Sequence, residues 1–305
     1  MRKIGIAAVM LGTLCVVAVA QGRVVQQFNF TLKNIRSDGR YTVVFESRSF
    51  DDQGAIPAPL NENTIRIPKG AVIRKEFLNK RYYCPLKKLV DQIRLEKPRA
   101  TRFVDFLNKK LKGKKTPPTN PKNIISVCRF SRIGSGEVAV DARPFADPLI
   151  PANIEIFLGK PTAPGAVASF VAVGIPDERA AIVRDNPTIR ETYPVVNVNF
   201  FNQPTPDGKY GYKVVLPVGP INGINISVER LKVTMPAFTL AKKKVTCVKK
   251  KGGKCRKRKV KKTNIFMWTK PDCPPSGKIS FEAFYGYASE PDETKTIEIP
   301  CPKFE

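Results

Sequence analysis

Short segments in which apolar and polar residues alternate recur along most of this chain, and they constrain its fold more than any other feature. VVQQFNFTL places Phe28, Phe30 and Leu32 at alternate positions, and from residue 124 onward similar segments return about every 10 to 14 residues. Turn signals such as the Pro-Asp-Gly sequence at 206–208 separate them. Because these segments do not alternate with helices, they predict an all-β protein, a jelly-roll-like β-sandwich, and disfavour a parallel α/β fold.

Three local assignments follow from the same pattern. The sequence IISVCRFS at 124–131 is predicted to be a strand. Two proline-containing pairs, Asp147-Pro148 and Ile150-Pro151, are predicted to form a turn between the segments GEVAVDAR and ANIEIFLG. The Ile-Gly-Ser-Gly sequence at 133–136 is predicted to lie at a strand start or bulge, since neither the helix nor the Lys-Ser/Thr of a phosphate loop follows it.

The period changes after Cys84. Apolar residues at 86, 89, 90 and 93 have helical spacing, and a second set at 103, 106, 107 and 111 predicts another helix that ends at Gly113. We therefore expect a small helical insertion over about 85–113, covering one edge or end of the sheet. The remaining residues of 21–305 would form one large sandwich, and the alternative is two β lobes that divide near 187–204.

The N-terminus predicts export. Arg2 and Lys3 precede an apolar run over 4–17, and the small residues Ala-Val-Ala follow it, which is typical of a signal peptide over 1–20. A membrane anchor is the alternative, but it needs roughly 20 apolar residues. No later segment is long and apolar enough to span a bilayer. We expect a secreted, extracellular protein, either released or associated with the cell wall by non-covalent contacts.

Removal of residues 1–20 would leave six cysteines, and an oxidising compartment favours disulfides between them. Six cysteines allow 15 pairings, and sequence does not choose among them. Pairing of nearest neighbours is the simplest hypothesis and gives Cys84 with Cys128, Cys247 with Cys255 and Cys273 with Cys301. Zinc is the alternative, but the chain has no histidine and no close Cys-x-x-Cys pair.

About half of the net charge of +27 lies in one stretch. Residues 242–262 contain thirteen Lys or Arg and no acidic residue. They predict an antiparallel hairpin in which Val248–Lys254 form the loop and Gly252-Gly253 allow a tight reversal. The predicted anion-binding residues are Lys242, Lys243, Lys244, Lys249, Lys250, Lys251, Lys254, Arg256, Lys257, Arg258, Lys259, Lys261 and Lys262.

This hairpin supports two hypotheses about function. The first is non-enzymatic association with an anionic polymer of the cell envelope or its surroundings, such as teichoic acid, acidic polysaccharide or extracellular nucleic acid. Sequence-specific recognition of nucleic acid is disfavoured, because residues 245–260 contain no aromatic residue for base stacking. The second is a structural or adhesive sandwich with incidental charge, in which a Lys-rich ribbon discourages aggregation between sheets.

An enzyme is the third and least favoured hypothesis. The absence of histidine removes the commonest general base, the Ser-His-Asp arrangement and most zinc hydrolase sites. A glycosidase that uses two carboxylates is the remaining class, with Asp141, Glu155, Glu229 and Glu282 as candidates. Acidic residues in alternating strands more often face solvent. We therefore expect no catalytic residue, no metal and no cofactor.

Three passages also resemble a known group of proteins. They are CRFSRIGSGEVAVDARP at 128–144, IPANIEIFLG at 150–159 and CPPSGKISFEAFYGYASEPDETKTIEIPCP at 273–302. Together they are similar to secreted, uncharacterised actinobacterial proteins in which a cysteine precedes an Ile-Gly-x-Gly strand and the chain closes with Cys-Pro-x-Ser-Gly and a final Pro-Cys. The resemblance implies an exported, disulfide-linked β-sandwich. It supplies no catalytic residue.

Overall fold

The fold was analysed in a computed structural model of the chain. The residues that it describes are 24–37, 39–52, 60–93, 121–142, 146–177, 179–185, 193–217, 227–236, 239–251, 254–287 and 290–304. For a subset of these the description covers the backbone alone, namely 121, 142, 146–148, 239–251 and 254–266. The signal peptide predicted over 1–20 lies outside the described residues and stays a prediction.

Strands dominate the described part of the chain, as the alternating segments predict. They are β1 (Val24–Lys33), β2 (Thr42–Asp51), β3 (Leu60–Pro68), β4 (Arg132–Ala142), β5 (Ala146–Gly159), β6 (Ala168–Pro176), β7 (Val195–Asn202), β8 (Tyr210–Leu216), β9 (Ser227–Met235), β10 (Thr239–Lys251), β11 (Lys254–Phe266), β12 (Lys278–Tyr287) and β13 (Glu293–Pro300). The helical elements are α1, described over residues 86–93, α2 (Pro121–Val127), α3 (Ala181–Arg184) and a 3-10 turn (Lys80–Tyr82).

Eleven of the strands form one antiparallel sheet in the order β1-β2-β9-β4-β5-β6-β7-β8-β3-β12-β13. The first and last strands of this order, β1 and β13, contact each other, so the sheet curls into a nearly closed sandwich. The predicted all-β, disulfide-linked sandwich is confirmed. Strands from both sides of residues 187–204 belong to this one sheet. Within the described residues, no helix combines the length and the apolar character needed to cross a membrane.

Aromatic side chains fill the inside of the curled sheet. Phe30 on β1 stacks on Phe281 of β12 with ring centroids 4.2 Å apart, which joins the two halves of the sandwich. Phe170 and Phe200 on neighbouring strands lie 4.4 Å apart, and the ring of Trp268 lies 6.2 Å from each of them. Fully burying such a side chain contributes about 1.5–3 kcal/mol. Trp268 is therefore a core residue.

The helical insertion packs on the outer face of β5 and β6. Leu89 of α1 and Ile124 of α2 are completely buried there, in one cluster with Phe157, Val171 and Val173. Strand β6 is consequently buried on both faces. The insertion was expected to cover an edge or an end of the sheet, and that detail is wrong, because β5 and β6 lie in the middle of the strand order. The second predicted helix, at 103–111, lies outside the described residues.

The strand predicted at 124–131 is also wrong, because this segment begins within helix α2. Pro121 occupies the first helical position, where its missing N–H removes no helical hydrogen bond. The buried side chain of Ile124 then joins the hydrophobic cluster that contains Phe157 and Val171. Tertiary packing of this kind overrides the β preference of a β-branched sequence. Strand β4 begins only at Arg132.

The turn predicted at Asp147-Pro148 and Ile150-Pro151 is replaced by a continuous strand, since β5 runs from Ala146 to Gly159. Strand β5 pairs with β4 from Ala146 to Phe157, with a register shift between Ala146 and Ile150 that contains Pro148, and its pairing with β6 starts only at Ala152. The prolines therefore lie where β5 has one partner strand, and there a missing N–H costs no ladder hydrogen bond on the open side. The predicted bulge in Ile-Gly-Ser-Gly is confirmed by a register shift between Arg132 and Gly134.

Candidate anion-binding ribbon

The basic stretch forms a two-stranded antiparallel ribbon, β10 paired with β11. Pairing starts at Thr239 opposite Phe266 and continues to Lys251 opposite Lys254. The predicted hairpin is thus present, but the loop predicted over Val248–Lys254 is too long, because only residues 252–253 separate the strands. We use the term "ribbon" for residues 239–266. At about 3.3 Å per residue, its thirteen-residue strands are about 40 Å long.

Like charges occupy directly opposite positions of the ribbon. Four pairs of lysines are Cα partners: Lys243 with Lys262, Lys244 with Lys261, Lys249 with Lys257, and Lys251 with Lys254. Like charges directly opposite in an antiparallel pair destabilise it, and cross-strand pairs carry energies of about 0.2–1 kcal/mol each. The register therefore brings together cations that oppose the formation of the ribbon.

Basic residues are assigned by the register to both faces of the ribbon. Successive residues of a strand belong to opposite faces, whereas cross-strand partners share one. Lys244 and its partner Lys261 therefore belong to one face, and Lys243 and its partner Lys262 to the other. Basic residues are therefore assigned to both faces of the ribbon at these paired positions.

The ribbon forms a sheet of its own, and in the described residues no strand of the sandwich pairs with it. Isolated hairpins are marginally stable in water, so the anchor of the ribbon matters. Directly after Phe266 the chain enters the core, where Met267 and Trp268 are buried. The amide of Arg74 donates to the carbonyl of Met267 at 2.9 Å, and Trp268 forms a β-bridge with Ile73.

Two of the three predicted disulfides are present. Cys84 is bonded to Cys128, at the base of the helical insertion, with Cα atoms 4.9 Å apart. Cys273 is bonded to Cys301, with Cα atoms 5.9 Å apart. This bond joins the segment shortly after the ribbon to the residue that follows β13.

The third predicted pair lies in the ribbon. The register places Cys247 opposite Arg258 and Cys255 opposite Lys250. The side chains of both cysteines lie outside the described part of the structure, so their pairing stays a prediction. The side chains of the thirteen predicted anion-binding residues also lie outside the described part of the structure, so their role in binding an anion stays a prediction.

More basic residues, missed by the sequence analysis, surround the anchor of the ribbon. The Lys270 ammonium lies 4.3 Å from the centre of the Phe304 ring, and the Tyr41 hydroxyl donates to the Thr269 carbonyl at 2.8 Å. Burial raises the pKa of Tyr41, and the nearby positive charge of Arg74 opposes that rise. These cations come from separate connections between strands, so no run of charge in the sequence marks them.

The four acidic residues considered for a glycosidase do not share one groove, although Asp141 and Glu229 lie within two register positions of each other on the paired strands β4 and β9. A shallow groove of about 330 Å³ on the outer face of β9, β4 and β5 is lined by Glu155 but by none of the other three candidates. There the Arg132 guanidinium donates to both carboxylate oxygens of Glu155, with one distance of 2.9 Å. Glu282 pairs with Arg66 at 3.2 Å on another part of the sheet, and Asp141 is buried.

Glu137, the second acidic residue that lines this groove, also lies in a network of charged side chains. The hydrogen bond from Lys232 to Glu46, at 2.8 Å, raises the pKa of Lys232, and the charge of Glu137 adds to this rise.

The described residues contain no group of three or more side chains arranged to hold a metal ion. Comparison of the chain with protein-family models, curated proteins and solved structures gives no match.

Proposed function

We propose that this protein binds a linear anionic polymer through the ribbon, without catalysing a reaction on it. The observation that carries the proposal is the register of β10 and β11, which sets four lysine pairs directly opposite one another within a stretch that contains no acidic residue. Teichoic acid, acidic polysaccharide and extracellular nucleic acid share the required chemistry, a long chain with closely spaced negative charges.

The energetics of the ribbon support this proposal. At about 0.2–1 kcal/mol each, repulsion in the four lysine pairs weakens a hairpin that is already marginal. Salt screens this repulsion over a distance of about 8 Å at physiological ionic strength. A bound polyanion would neutralise the charges more effectively, because its own charges are held close together. Binding would then stabilise the ribbon, and the ordered ribbon would favour binding.

A polymer fits the ribbon better than a flat membrane surface does. Basic register positions belong to both faces of the ribbon, whereas a planar surface reaches only one face at a time. A flexible chain can follow both. The predicted signal peptide and the two disulfides support an extracellular site of action, where such polymers are found, since disulfides persist in oxidising compartments.

The test is a salt series on mature protein, residues 21–305, with isolated cell wall, heparin and a single-stranded oligothymidylate as probes. The ribbon variant carries Lys→Gln at 243, 244, 249, 251, 261 and 262. The charge-matched control carries Lys→Gln at 87, 88, 122, 213, 232 and 295. We expect only the ribbon variant to lose affinity. On oligothymidylate, the slope of log K against log salt should become shallower by about 0.7 for each phosphate contact that is lost.

Equal weakening of both variants would overturn the proposal. In that case the binding would be a property of the net charge, and the ribbon would be a structural element with incidental charge. Circular dichroism of each variant would check that the sandwich is intact, since the sheet does not include the ribbon.

A further inference from the structure

The antiparallel sheet sorts its connections to two ends of the sandwich. Lys33 pairs with Thr42, Val43 pairs with Met235, and Thr234 pairs with Ser135, so β1 and β9 end where β2 and β4 begin. The ribbon follows β9. We therefore call this end the ribbon end. The same pairing logic places at the ribbon end the connections 34–41, 69–83, 128–131, 160–167, 203–209, 267–277 and 301–304.

The two ends differ in charge. In the described residues of those connections, the ribbon end has twelve Lys or Arg and three Asp or Glu. At the opposite end, the described residues of the connections after β2, β4, β6, β8 and β12 include two basic residues and five acidic ones. The sandwich is therefore electrically polarised along its strands, and the ribbon leaves it at the positive end.

The basic residues at the two ends also differ in their partners. At the opposite end, Arg179 pairs with Asp177 at 2.6 Å and Arg184 pairs with Asp185 at 2.9 Å. The basic residues at the ribbon end that make no ion pair within the described part of the chain include Arg36, Lys69, Arg74, Lys75 and Lys270. Their charges are thus available to a ligand.

These five residues adjoin the anchor of the ribbon. The amide of Arg74 donates to the carbonyl of Met267, one residue after β11 ends. A methyl group added at Gly39, in the turn that contains Arg36, would lie 3.1 Å from Cε of Lys270. The amide of Asp272 donates to the carbonyl of Lys69 at 2.8 Å. The cationic surface therefore continues from the ribbon onto the sandwich.

We propose that the ribbon end is the second part of the anion site, and that one linear polyanion spans it and the ribbon. This inference rests on the proposed function of the ribbon. The ribbon is about 40 Å long, so a shorter polyanion can bind along the ribbon without reaching the ribbon end. A longer chain bound to the ribbon is held at high effective concentration beside the ribbon end and gains affinity from the second contact. The ligand is accordingly a long polymer.

The experiment measures binding of oligothymidylates of two lengths, whose phosphates represent the polyanion. At about 3.4 Å per phosphate, a chain of about 5 nucleotides stays shorter than the ribbon even when it is extended to about twice that spacing, and a chain of about 40 nucleotides is much longer than the ribbon. The end variant carries Arg36→Gln, Lys69→Gln, Arg74→Gln, Lys75→Gln and Lys270→Gln. The control carries Lys→Gln at 87, 88, 122, 213 and 295, and the six-lysine ribbon variant is included.

We expect the end variant to bind the short chain within about 2-fold of the native protein and the long chain at least about 10-fold more weakly. Circular dichroism checks that the sandwich of the end variant is folded, because the ribbon that binds the short chain is not part of that sheet. Equal weakening at both lengths would overturn the inference, because the ribbon end would then act only through its long-range field. So would native affinity for the long chain. In both cases the proposed function stands if the ribbon variant fails to bind the short chain, and it fails if that variant binds normally.

Discussion

Replacement of Gly136 by alanine should destabilise the sandwich by about 2–3 kcal/mol. A Cβ atom at this position of β4 would lie 2.2 Å from the carbonyl oxygen of Lys232 and 3.1 Å from Cα of Val233, both on β9. The clash is with backbone, so it is relieved only if β4 and β9 separate by about 1 Å, which weakens neighbouring ladder hydrogen bonds of about 1 kcal/mol each. The alanine also reduces the conformational entropy of the unfolded chain, which stabilises the folded state by about 0.4–1 kcal/mol and offsets part of the loss.

Urea denaturation followed by tryptophan fluorescence measures this change, because Trp268 is in the core. Gly211→Ala is the matched control. Gly211 is also in a strand, but the nearest atom to its added Cβ would be at 3.4 Å, an ordinary contact. We expect the control to lie within about 0.5 kcal/mol of the native protein. If Gly136→Ala matched the control, the close approach of β4 and β9 would not be a constraint, and the reasoning would be refuted.

Three further predictions concern the disulfides, the tyrosines and the ribbon. Replacing Cys273 and Cys301 together by Ala should lower the free energy of unfolding by about 3.5 kcal/mol, from the chain-entropy model for a 28-residue separation, and a loss under about 1 kcal/mol in urea denaturation would contradict it. Burial raises the pKa of Tyr285 and of Tyr287 to about 12. The unfolded state therefore loses these protons first, so their contribution to stability is complete below pH 10 and is lost as the pH rises to 12; tyrosinate absorbance that develops fully near pH 10 with the fold intact would disprove this. Added salt should slow amide hydrogen exchange in residues 239–266, because screening weakens the lysine repulsion, and salt-independent exchange would show that this repulsion is negligible.

The sequence predicts the strands well because most of them are buried on one face. In β12 the buried positions alternate with partly exposed ones from Ile279 to Tyr285, which is the pattern that defines a strand in sequence. The two observed disulfides also agree with the hypothesis that cysteines pair with their nearest neighbours along the chain. Both signals are local, so they survive without knowledge of the tertiary structure.

The errors occur where distant residues decide the local structure. Helix α2 forms where Ile124 enters a buried cluster with Phe157 and Val171, residues that no local pattern brings together with it. Strand β5 continues through Pro148 and Pro151 because β6 joins it only at Ala152. In each case a partner elsewhere in the chain determines which local preference prevails.

The candidate site divides in the same way. The ribbon is visible in the sequence because its charges are consecutive. The ribbon end is not, because Arg36, the segment from Lys69 to Arg74, and Lys270 are separated by tens of residues or more and belong to turns that look like ordinary solvated loops. Only the strand order brings these turns to one end, and strand order in a large antiparallel sheet is a global property.

The attachment of the ribbon determines how the protein would carry mechanical load. A polymer that pulls on β11 transmits tension to Met267 and Thr269, which are hydrogen-bonded to the backbone at residues 72–74. If those bonds yield, the chain can peel only as far as Cys273, because its covalent bond to Cys301 stops further extension. The other strand of the ribbon, β10, follows β9, and β9 has a hydrogen-bonded neighbour on each side. A molecule tethered by this ribbon would therefore stretch by a few residues and then resist.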